Sequence, residues 1–136
     1  MTPLAAARRL MRRYAPQARL HVLKRPPEYR GAMWQMPDGS LVLKWSPKSP
    51  LTVLLHELGH LRLRHYGGRA YARAAASRAE LVLAEVGAWL WAEHAAHHHR
   101  LPFSYALANA YMASYTGKVR IAWRHSGARA SEPRTG

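Results

Sequence analysis

From Leu51 to about His65 the chain carries no proline and a single glycine, and apolar residues fall on most turns of a helical period, so this stretch reads as a central helix. The breaker-rich loop Ser46-Pro-Lys-Ser-Pro50 precedes it. Gly67-Gly68 closes it, with Arg62, Arg64 and His65 in the last turn, where positive charge suits the helix dipole. Inside this helix stands His56-Glu57-Leu58-Gly59-His60. Spacing of four places both imidazoles on one face, where they can reach one metal ion, while Glu57 lies about 100° round the helix from His56.

Cysteine is absent, which excludes a disulfide scaffold, a Cys-ligated zinc finger, an iron–sulfur site and a thiol nucleophile, and leaves His, Asp and Glu as metal ligands. At 136 residues the chain is sized for one domain, expected over residues 1–125, with 126–136 as a loose basic tail of Gly, Arg, Ser and Pro. Lys and Arg number 21 against 7 Asp and Glu, so carboxylates for chemistry are few: Asp38, Glu28, Glu57, Glu80, Glu85, Glu93 and Glu132. A net charge of +14 favours encounter with nucleic acid or acidic protein and says nothing about fold. The most apolar windows, Leu51–Leu58 and Leu81–Ala92, are interrupted by Glu, His or Gly and fall short of the ~18–20 residues of a membrane span. The expectation is a soluble, cytoplasmic protein with no membrane contact.

Thr2 and Pro3 suit an N-cap and first helical position, and Leu4, Ala7, Leu10, Met11 and Tyr14 keep helical spacing until Pro16, predicting a short amphipathic helix rather than a transit peptide. A short strand is expected within 18–24, stopped by Pro26-Pro27. Ala32–Met36 and Leu41–Trp45 flank Pro37-Asp38-Gly39-Ser40 and predict a hairpin. Residues 69–99 lack proline and are rich in Ala, Leu, Glu and Arg, giving one long helix or two with a break near Ser77. Phe103 to Tyr115 reads as a final helix ending near Gly117.

Two neutral imidazoles on one helix turn are a zinc-binding pair, and a glutamate between them can serve as general base toward a water that the metal acidifies, then return the proton to a leaving amine. A catalytic site wants a third protein ligand. Extension to H-E-x-x-H-x-x-G-x-x-H fails, since Leu63 and Tyr66 stand where Gly and His are required. Asp38 precedes the motif, leaving Glu80, Glu85, Glu93 or a later histidine. Glu85 shares a face with Leu81, Val82, Ala88, Trp89 and Ala92, and a carboxylate on such a stripe must be paired or bind a cation. Periodicity does not eliminate Glu80, whose face includes Leu83, Ala84 and Gly87.

A hairpin, a loop, Leu54-Leu-His-Glu-Leu-Gly-His-Leu61 and then Glu85-Val-Gly-Ala-Trp-Leu-Trp-Ala92 together resemble the small gluzincin-type zinc metallopeptidases, especially the ImmA/IrrE-like family, over about residues 41–92. The family carries its acidic ligand in an E-x-x-A setting on the next helix, which Glu85 and Ala88 match, so the resemblance makes Glu85 the preferred third ligand. It implies an α+β, minimal zincin-like fold: a small antiparallel sheet packed on the HExxH helix, followed by a glutamate-bearing helix. It further implies Zn2+ held by His56, His60 and Glu85, Glu57 as catalytic base, and an edge strand, here Leu41–Lys44, that pairs with an extended peptide. The implied activity is hydrolysis of a protein or peptide substrate, with a DNA-binding repressor among the partners. No separate DNA-binding or sensor domain is visible within these 136 residues. His65, Tyr105, Tyr111, Tyr115 and His125 are the candidates for stabilising an oxyanion.

His94 and His97-His98-His99 form a second histidine cluster, in which His94 and His98 share i,i+4 spacing; it reads as a solvated helix end. Trp89 and Trp91 read as core and rim packing. Arg8, Arg9, Arg12 and Arg13 make one basic stripe, which supports the alternative of a non-catalytic, metal-stabilised module docking on DNA or a repressor.

Overall fold

The computed structural model describes residues 1–26, 32–63, 77–116 and 119–125. The elements are α1 (Pro3–Tyr14), β1 (Ala18–Val22), β2 (Ala32–Gln35), β3 (Leu41–Trp45), α2 (Leu51–Arg62), α3 (Arg78–His98) and α4 (Tyr105–Thr116), an α+β arrangement. The expected Gly67-Gly68 stop with Arg64 and His65, the break at Pro27, the ending near Gly117 and the tail 126–136 lie outside the described residues.

Thr2 caps α1 by accepting the Ala5 amide on its hydroxyl at 3.1 Å, and Ala6, Ala7, Leu10 and Met11 bury one face while Arg12 and Arg13 occupy the last turn. At the hairpin, Gly39 takes φ +89°, and its amide donates to Met36 O at 2.9 Å. Asp38 Oδ1 accepts both the Ser40 amide at 2.9 Å and the Ser40 hydroxyl at 2.6 Å, bonds that hold its carboxyl below the usual range.

The sheet is not the antiparallel one expected. Its order is β1-β3-β2, with β2 antiparallel to β3 and β1 parallel to β3 in the register Ala18↔Leu41 to Val22↔Trp45. The hairpin turn dictates direction only for β2 and β3. β1 joins the other side of β3, so the chain reaches β2 from the same end of the sheet at which β1 finishes, and the β1–β3 pair comes out parallel. This also corrects the assignment of Leu41–Lys44 as the edge strand. β3 is central and bonded on both sides, and among the described residues β1 and β2 are the edges.

Leu41, Leu43 and Trp45 of β3 join Leu10 and Met11 of α1, Leu54, Leu55, Leu58 and Leu61 of α2, and Ala92, Ala95 and Ala96 of α3 in one hydrophobic cluster. α2 is the hub: nine of its twelve residues are buried, His56 and His60 among them. Ser77 starts α3 by accepting the Glu80 amide at 3.1 Å. The helix ends in a Schellman turn, with Arg100 N–H on His97 O and Leu101 N–H on Ala96 O, and Arg100 itself at φ +56°. A second cluster of Trp89, Ala108, Met112 and Ile121 sits between α3, α4 and the segment 119–125. Among the described residues no helix is long and apolar enough to cross a membrane.

Candidate metal centre

Among the described residues the most extensive packing between two helices is that of α2 on α3, and the glycine inside the motif lets their backbones meet. A Cβ at Gly59 would stand 2.5 Å from the backbone oxygen of Ala88, so no larger residue lets the two backbones approach this closely. Gly59 is one residue before His60, and Ala88 is three after Glu85. The crossing therefore sets the ligand-bearing turns of the two helices against each other.

At that crossing His56 Nε2 lies 3.0 Å from Glu85 Oε1, His60 Nε2 lies 2.9 Å from Glu85 Oε2, and the two Nε2 atoms are 3.1 Å apart. One donor atom from each residue falls within 4.8 Å of the others, forming a group that could hold a metal ion. The chemistry of the set suits zinc: two imidazole nitrogens and a carboxylate oxygen are the donor types of a three-ligand catalytic site. Donors at tetrahedral angles around one zinc ion are spaced about 3.3 Å apart, close to the separations observed. The side chains of His56, His60 and Glu85 are 8%, 10% and 20% exposed, so the cluster is shielded but opens to solvent at the carboxylate.

Glu57 is not among the converging donors. Its Oε2 stands 3.5 Å from His56 Nδ1, on the ring edge away from Nε2, an ion-pair separation rather than a short hydrogen bond. Burial alone would draw the His56 imidazolium below its ordinary range, but the carboxylates of Glu57 and Glu85 outweigh it and push the pKa up to about 9. Burial likewise favours neutral Glu85, and hydrogen bonds from His56 and His60 overcome it, holding the carboxyl far below its usual range.

The competing glutamates are engaged elsewhere. Glu80 accepts the Ser77 hydroxyl at 3.0 Å at the exposed start of α3. Glu93, 1% exposed, accepts the Arg124 amide at 2.9 Å, the His125 amide at 2.7 Å and the Tyr105 hydroxyl at 2.9 Å. Of the oxyanion candidates, Tyr105 is thus turned to Glu93, and His125 is drawn there by its backbone. Tyr111 stands edge-on to His56 at 6.4 Å between centroids, with its hydroxyl buried. His65 and the Tyr115 side chain lie outside the described residues.

Sequence reasoning assigned Trp89 to the core, and it is fully buried. It also lies flat on His56, ring centroids 3.8 Å apart and planes within 6°. The i,i+4 spacing from Glu85 to Trp89 on α3 was the available signal. Searches against family models, curated proteins and solved structures return no match.

Proposed function

We propose that this chain is a zinc-dependent metalloendopeptidase of the gluzincin type, similar to the ImmA/IrrE-like family, whose domain spans residues 1–125 and which acts in the cytoplasm on a specific regulatory protein such as a DNA-binding repressor. The observation that carries this reading is the convergence of His56, His60 and Glu85 from two successive helices on one point. His56, His60 and Glu85 would hold the ion and leave a coordination position for solvent, the arrangement of hydrolytic rather than structural zinc. Zinc bound there would supply an acidified water and a Lewis acid for the scissile carbonyl. Glu57, adjacent to a ligand yet outside the ligand set, takes the proton of the attacking water and delivers it to the leaving amine. Trp89 covers one face of His56 and excludes water there. An extended substrate has the outer edges of β1 and β2 to pair with.

The test is Glu57→Gln, co-expressed beside wild type with candidate regulators and followed by mass spectrometry and elemental analysis. The variant should keep the tightly held zinc and lose cleavage by about 10²–10⁴-fold or more, because it removes a proton acceptor and not a ligand. Undiminished cleavage by the variant, or a wild-type chain that retains no zinc, would overturn the reading.

A further inference from the structure

The histidines at the far end of α3 do not pair as their spacing suggests. His98 stands edge-on to His99 at 4.8 Å between centroids, and His94 reaches instead across the chain to His125. His94 Nδ1 and His125 Nε2 are 3.1 Å apart, the same separation as the two Nε2 atoms of the candidate centre. Two nitrogens each about 2.0–2.1 Å from one ion, at angles between square and tetrahedral, lie about 2.9–3.4 Å apart. The pair is held there by buried structure. Glu93 takes the backbone amides of Arg124 and His125, Ile121 is packed into the cluster around Trp89, and His97 stacks on the His125 ring at 4.1 Å with planes 14° apart. His94 is exposed and His125 half-buried, so both remain reachable from solvent.

We infer that His94 and His125 form a second, independent binding site for a divalent transition cation, a two-imidazole site completed by water. Imidazole pairs without thiolate or carboxylate select zinc, copper and nickel over magnesium and calcium. No third His, Asp or Glu joins the pair in a metal-binding group among the described residues. The site is therefore weaker than the three-ligand centre and exchanges its ion readily. A bound ion would add coordination to the links between α3 and the segment 119–125, replacing the hydrogen bond between the two imidazoles while the Glu93 bonds to the Arg124 and His125 amides remain.

The experiment is calorimetric titration of Zn2+ into the chelator-stripped full-length chain. Wild type should show a tight event and a weaker second one. His94→Gln and His125→Gln, both at sites open to solvent, should each weaken the second event by about tenfold or more while His98→Gln leaves it unchanged. His60→Ala should remove the tight event and spare the second. Survival of the second event in both His94→Gln and His125→Gln, or its loss in His98→Gln, would show binding scattered over the His97–His99 run and overturn the proposal. Absence of any event beyond the one lost in His60→Ala would overturn it equally. A single event lost in His125→Gln but kept in His60→Ala would uphold it and count against the centre at His56.

Discussion

Two side chains decide how the candidate centre behaves, one by what it lacks and one by its charge. Gly59 has no Cβ, and the backbone oxygen of Ala88 occupies the place where one would be. Backbone cannot retreat as a flexible side chain can, so Gly59→Ala must push α2 and α3 apart. We expect a loss of about 1–3 kcal/mol in urea unfolding and a drop in zinc affinity, since the same contact positions His60 against Glu85. His56 gives the site a pH dependence with two opposite signs. In the metal-free chain its folded pKa of about 9 lies above the ordinary 6.5, so the stability it contributes is complete below about 6.5 and disappears as pH rises through about 9. Glu85, with its pKa depressed, contributes above its ordinary 4.5 and loses that contribution only as strong acid protonates it. Metal demands the unprotonated imidazole, so zinc affinity should climb as pH rises toward about 9 and level off above it, with proton release on binding below that pH. Titrations in buffers of differing ionisation enthalpy measure that proton directly.

At the level of helices and strands, what could be read from the chain was what short-range rules control. Thr2-Pro3 starts α1, Pro37-Asp38-Gly39-Ser40 folds the β2–β3 hairpin, and Ser77 begins α3. Strand order is different in kind. Whether β1 lies beside β2 or β3 depends on contacts between residues more than twenty apart, and no turn residue encodes it; hence the antiparallel expectation and the misplaced edge strand. The two histidines were legible because they share one helix. Glu85 stood on an apolar stripe that favoured it weakly and a resemblance strengthened the choice, yet periodicity did not eliminate Glu80, because the contact that selects Glu85 is made with a second helix. The end of α3 was legible to within a residue from the proline-free run that stops at His99, but the form of its cap was not: its left-handed position is filled by Arg100, where glycine is the usual signal. That residue gives a prediction. A left-handed conformation costs a residue with a Cβ about 1–2 kcal/mol, part of which glycine returns in unfolded-state entropy, so Arg100→Gly should stabilise the chain by about 1 kcal/mol in urea melts.

For the molecule as a whole, Glu93 joins what would otherwise be separate parts. Its buried carboxylate ties α3 to the start of α4 through Tyr105 and to the segment 119–125 through two amides, contacts made 12, 31 and 32 residues along the chain. Glu93→Ala would leave both amides and the tyrosine hydroxyl without their acceptor. We expect a loss of about 2–4 kcal/mol and a marked rise in hydrogen exchange across 119–125, with the amides of α1 and β3 little changed. Trp89 packs with Ile121 of that segment, stacks flat on His56 and meets Tyr111 edge-on. An indole sealed from water and laid flat against a metal-ligand candidate is a built-in optical gauge: protonating that imidazole, or seating a paramagnetic ion on it, changes the light this one chromophore emits.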